Sequence, residues 1–68
     1  MTLKEASVLA QNRTPVAFDG TKYDRITEVG MWFDKNGKRH DFVTLLDMNK
    51  NTAVRVQPER VKEWSEEE

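Results

Sequence analysis

Between Ile26 and Val56, apolar and polar residues fall into three runs, ITEVGMWFD, RHDFVTLLDM and TAVRV, separated by the polar breaks KNGK and NKN. Short runs rich in β-branched and aromatic residues, bounded by Asn, Gly and Lys, predict consecutive antiparallel strands near residues 25–34, 38–48 and 52–57. Asn36-Gly37 between the first two is a strong hairpin signal, because a two-residue type I′ turn requires positive φ at both central positions.

The turn sets a register. With Asn36 and Gly37 at the tip, Lys35 pairs with Lys38, Asp34 with Arg39, Phe33 with His40, Trp32 with Asp41, Met31 with Phe42 and Val29 with Thr44. Side chains alternate along a strand. Val29, Met31, Phe33, Phe42, Thr44 and Leu46 then share one face, the more uniformly apolar, which is expected to be the principal core. Glu28, Gly30, Trp32, Asp41, Val43, Leu45 and Asp47 share the other. Val43 and Leu45 make this second face partly covered as well, and a bulge or sharp bend at Gly30 would let the inward face switch along the strand.

Before this meander, Thr2-Leu-Lys-Glu5 fits a capping box, and Leu3, Ala6, Leu9 and Ala10 lie on one side of a helix over about residues 2–12. Asn12 suits a left-handed cap, and Pro15 disfavours helix in the residue before it. Pro15–Phe18 reads as a short strand, turned by Asp19-Gly20. After the meander, Pro58 suits the first position of a helical turn over Pro-Glu-Arg-Val, and Val61 and Trp64 are expected to fold back. The run Ser65-Glu-Glu-Glu68 has nothing to bury and is expected to fray.

The chain has 68 residues, which predicts one small domain: barrel over about 15–64, acidic tail over 65–68. A chain of this size buries roughly 60% of its unfolded surface. It has no cysteine, hence no disulfide and no thiolate metal site. No apolar run spans a membrane and no signal-peptide pattern opens the chain, so a cytoplasmic protein without a membrane partner is expected. Net charge is −1 with 34% charged residues, which gives no general pull toward nucleic acid.

Candidate chemistry is sparse. His40 is the only histidine, and Asp41 beside it points to the opposite face, so no nucleophile–base–carboxylate set is visible and no enzymatic activity or cofactor is expected. Asp47-Met-Asn-Lys-Asn51 opens like a calcium loop, but Thr52 and Pro58 stand where that loop needs Gly and Glu, so it reads as a turn and no metal site is predicted. Trp32, beside Gly30, forms a ledge for a partner, with Tyr23, Arg39, His40 and Asp41 around it, the arrangement of an aromatic anchor with a polar rim. A rival nucleic-acid reading uses the cations Lys35, Lys38, Arg39, Lys50 and Arg55, with Trp32 and Tyr23 for stacking.

In its order of elements the chain resembles the SH3-like and Sm-like small barrels. The residues that carry the likeness are Phe42-Val-Thr-Leu-Leu-Asp47, the Asn49-Lys-Asn51 turn, Val54-Arg-Val56 and Pro58-Glu-Arg-Val61. The resemblance implies a mainly β fold, a partly open five-stranded antiparallel barrel with a short N-terminal α-helix and a one-turn helix before the last strand. The tyrosine-rich ligand groove of SH3 domains is missing, with Tyr23 alone present, as is the RNA-binding signature of the bacterial Sm-like chaperones. Neither family's function transfers. The expected function is a non-enzymatic protein-binding adaptor or inhibitor. The alternatives are a nucleic-acid-binding barrel and a small structural subunit of a phage or mobile-element assembly. An open sheet edge also allows homo-oligomers.

Overall fold

The computed structural model describes residues 1–64; residues 65–68, with the expected frayed tail, lie outside the described residues. The elements are a helix α1 (Leu3–Gln11), strands β1 (Val16–Phe18), β2 (Thr21–Tyr23), β3 (Arg25–Phe33), β4 (Arg39–Asp47) and β5 (Thr52–Val56), a 3-10 turn (Pro58–Arg60) and β6 (Val61–Glu63). The fold is mainly β, with two three-stranded antiparallel sheets in the orders β2-β1-β6 and β3-β4-β5. The expected partly open five-stranded barrel is not confirmed: among the described residues six strands form two sheets, and they do not close a barrel. The additional strand is β2, which the chain separates from β3 at Asp24.

Local chemistry explains most boundaries. The Thr2 hydroxyl accepts from the Glu5 amide at 3.2 Å, and the Glu5 carboxylate accepts from the Thr2 amide at 3.2 Å, completing the capping box. That bond to the Thr2 backbone, and then the one from its hydroxyl, hold the Glu5 carboxyl below its ordinary value. The helix ends with Asn12 in right-handed geometry and Arg13 at φ 54°, so the left-handed residue is Arg13 rather than Asn12. Pro58 starts the 3-10 turn as predicted and is buried.

The two glycine turns exchange roles. Asp19 and Gly20 have φ of 51° and 75°, both positive, and Phe18 pairs directly with Thr21. That is the two-residue hairpin geometry expected at Asn36-Gly37. At the latter only Gly37 has positive φ, 80°. The Asp34 amide bonds the Lys38 carbonyl at 3.0 Å, so three residues rather than two form the loop. A three-residue loop of this kind combines a type I turn with a left-handed residue, which Gly37 supplies. Asp34 selects it: its Oδ1 accepts from the amides of Asn36 and Lys38 at 2.9 and 3.0 Å.

One added loop residue shifts the register by one and reverses which sets of side chains share a face. Trp32 pairs with His40 rather than Asp41, Gly30 with Phe42, and Val29 with Val43. The expectation that Phe42, Thr44 and Leu46 share one core face with Val29, Met31 and Phe33 is overturned, although Val29 does pack against the core and Thr44 is buried. Val43 and Leu45 are fully buried, whereas Met31 and Phe33 are 48% and 62% exposed. The bulge lies at Thr27, where the register jumps between Ile26 and Glu28, not at Gly30.

The core joins α1 to both sheets through Ala6, Val16, Ile26, Val43, Leu45 and Val61, with Leu9, Ala10, Phe18, Tyr23, Val54 and Val56 against it. Each of Ile26, Leu45, Val16 and Val43 is wholly buried, which stabilises by about 1.5–3 kcal/mol per side chain. Asp24 ties the sheets where the chain breaks between β2 and β3: its amide donates to the Leu46 carbonyl and its carboxylate accepts from the Met48 amide. Trp64 is half-buried and donates its amide to the Pro15 carbonyl. The far end of the β3–β4 hairpin lies beyond the core and carries exposed Met31, Trp32 and Phe33.

Candidate functional site

The revised register puts Trp32, His40, Phe42 and Arg55 on the face of the β3-β4-β5 sheet that looks away from the core. Trp32 and His40 are cross-strand partners, and their rings stack with centroids 4.4 Å apart and planes 18° apart. Phe42 lies over its own partner Gly30, so close that a Cβ there would stand 2.9 Å from the ring. On Phe42 in turn sits the Arg55 guanidinium, 4.2 Å from the ring centroid. Gly30 is thus the gap that lets an aromatic ring lie flat on the sheet. The Arg60 guanidinium similarly covers Phe18 at 5.1 Å and bonds the Asp19 carboxylate at 2.9 Å.

His40 has a partner that sequence reading missed: its Nε2 lies 2.9 Å from Asp34 Oδ2. This contact first, then the amides of Lys38 and Asn36, hold the Asp34 carboxyl below its ordinary value. One aspartate thereby fixes both the loop and the imidazole that backs Trp32. On the opposite face of β4, Arg39 donates to Asp41 at 2.7 Å. That pair is exposed and contributes little to stability.

Together these groups line a groove of about 410 Å³ between the hairpin and the 3-10 turn, walled by Phe18, Trp32, His40, Phe42, Arg55 and Arg60, with Asp41 and Gln57 at its edge. Of the residues expected around a Trp32 ledge, His40 and Asp41 are there. Tyr23 is not: it is half-buried and packs on the core from β2. Arg39 lies beside a smaller cavity with Gln57 and Pro58. The proposed nucleic-acid cations do not form one patch. Lys35 and Lys38 sit at the hairpin tip, and Lys50 sits in the turn at the opposite end of β4, roughly 27 Å away at the rise of an extended strand. Arg55 alone of that set lines the groove.

A second groove, about 520 Å³, runs between α1 and β6 and is lined by Met1, Val8, Leu9 and Val61 among others. It holds no aromatic ring. Asp47 in the calcium-like run uses its Oδ1 to accept from the amides of Asn49 and Lys50. That makes it a turn former. Among the described residues no three His, Cys, Asp or Glu side chains gather as a metal site, and no helix is long and apolar enough to cross a membrane.

Sequence reading missed Phe18, Phe42 and Arg60 as groove residues. From the sequence, Phe18 reads as a strand residue, Phe42 as core and Arg60 as part of a helical turn. The available signal was Asp34 two residues ahead of Asn36-Gly37: an Asp that caps its own turn favours the three-residue loop, and from that loop the outward face follows. Comparison with protein-family models, with curated proteins and with solved structures finds no match for this chain.

Proposed function

We propose that the protein is a non-enzymatic binding module that holds a protein partner in the Trp32 groove. The observation that carries this is the half-exposed Trp32, 49% accessible, held flat by His40 at the mouth of a groove with two further aromatic walls. A large, preoriented apolar group with polar residues around it is the usual composition of an energetic hot spot. His40 is committed to Asp34 and Trp32, and no hydroxyl or thiol nucleophile lies among the groove's walls, which supports a binding role over catalysis. As to fold, β2 and β3 read as two halves of one strand bent at Asp24, which with the 3-10 turn between β5 and β6 supports the SH3-like order of elements.

One observation favours nucleic acid instead: the Arg55 guanidinium lies on Phe42 and forms no ion pair among the described residues. A pull-down from cell lysate with and without nuclease separates the two readings, and a protein that survives nuclease is expected. With that protein, Trp32→Ala is expected to weaken binding by roughly thirtyfold or more. Its melt should stay close to the parent's, because Trp32 lies outside the core. Normal binding by a normally folded Trp32→Ala variant refutes the groove as the site.

A further inference from the structure

The outer edge of β3 is the longest unpaired backbone edge at the exposed end of the hairpin. Among the described residues, β3 has β4 on one side and no strand on the other. The bond from the Asp34 amide to the Lys38 carbonyl fixes the phase of the ladder. In an antiparallel pair, alternate residues turn their N–H and C=O toward the neighbour. Trp32, Gly30 and Glu28 therefore face β4, while Val29, Met31 and Phe33 direct theirs outward. The stretch Val29-Gly-Met-Trp-Phe33 holds no Lys and no Pro, and its only irregularity, the bulge at Thr27, lies at its base. Natural edge strands usually carry such protection against pairing.

We propose that this edge pairs with the same edge of a second copy, antiparallel about Met31, to give a two-fold dimer with a continuous six-stranded sheet. The match is in the residues. Centred on Met31, Val29 meets the other copy's Phe33 on one face, and Trp32 meets the other copy's Gly30 on the other. The Phe42 ring of the same copy already covers each Gly30, so the apolar match lies in the two Val29–Phe33 pairs. Like charges meet only at the ends, where Glu28 faces Asp34, and each is already bonded within its own copy, to Thr44 and to His40. Net charge of −1 per chain adds little repulsion.

The area sets the strength. Met31, Trp32 and Phe33 are 48%, 49% and 62% exposed; at up to about 150–250 Å² for each aromatic side chain, they offer roughly 300 Å² per copy. Two copies then bury well under the roughly 1,200–2,000 Å² of a standard stable interface, so the dimer is weak and concentration-dependent.

The register makes a sharp test. Hydrogen-bonded antiparallel partners have Cα atoms about 5.5 Å apart, within disulfide range, and the chain has no other cysteine. Met31→Cys is expected to cross-link under mild oxidation at least tenfold faster than Phe33→Cys, whose two copies lie about four residues out of register. Sedimentation of the parent should shift toward dimer with rising concentration. Met31→Lys, which sets two ammonium groups opposite each other, should remain monomeric with an unchanged melt. Equal cross-linking rates for the two cysteine variants, or a parent that stays monomeric up to about 1 mM, overturns the proposal. Arg55→Glu serves as the control: it should impair the groove and leave dimerisation intact.

Discussion

Gly30→Ala probes the outer face most directly. An added Cβ would stand 2.9 Å from Phe42 Cζ and 3.1 Å from its Cε1, where ordinary contact begins near 3.4 Å. To make room the ring must shift, which also displaces the Arg55 guanidinium lying against it at 4.2 Å. Forcing a methyl into such a contact typically costs about 1–3 kcal/mol. Removing glycine from a strand returns about 0.5–1 kcal/mol. The balance is a net loss of up to about 2.5 kcal/mol, centred on about 1 kcal/mol, which lowers Tm by several degrees in a domain of this size, at about 4–8 °C per kcal/mol. In a Phe42→Ala background the obstruction is gone, and Gly30→Ala should be neutral or stabilising. Urea unfolding of the parent, both single variants and the double variant gives the coupling directly, expected at about 1–3 kcal/mol. Coupling within the ~0.3–0.5 kcal/mol scatter of independent sites would show that the ring does not rest on Gly30.

Leu45→Ala removes a wholly buried side chain and should cost about 2–5 kcal/mol by chemical denaturation, more than Phe42→Ala, which lies outside the core cluster. The opposite ranking would restore the register with a two-residue tip. For Asp34 the native carboxyl lies below its ordinary value because of His40 and the loop amides. Its stabilising contribution is therefore complete above the unfolded carboxylate range and is lost as pH falls through the lower native value. Melts of the parent and Asp34→Asn from neutral to acid pH should converge on acidification. A stability gap that is constant down to strongly acid pH would show that the Asp34 charge is not involved.

The resemblance among elements and the difference in faces have one physical origin. Local chemistry wrote the helix, its capping box, the three long strands and the Pro58 turn into the sequence, since each depends on residues within a few positions of one another. Thr2 and Glu5 need only each other, and the strand limits follow from alternation and turn residues. The choice of inner face was different in kind. It turned on whether Asn36-Gly37 closed a two-residue or a three-residue loop, and both are compatible with that dipeptide. Asp34 decided it through two amides and one imidazole, of which His40 reaches Asp34 only once the strands are paired. A one-residue difference then sent Val43 and Leu45 inward and brought Phe42 out over Gly30. The groove depends on still longer connections: Phe18 from β1, Arg55 from β5 and Arg60 from the 3-10 turn meet Trp32 only through the packing of two sheets around Ala6, Ile26 and Val61. No periodicity along the chain encodes that meeting, because it is the core on the opposite side that holds these residues together.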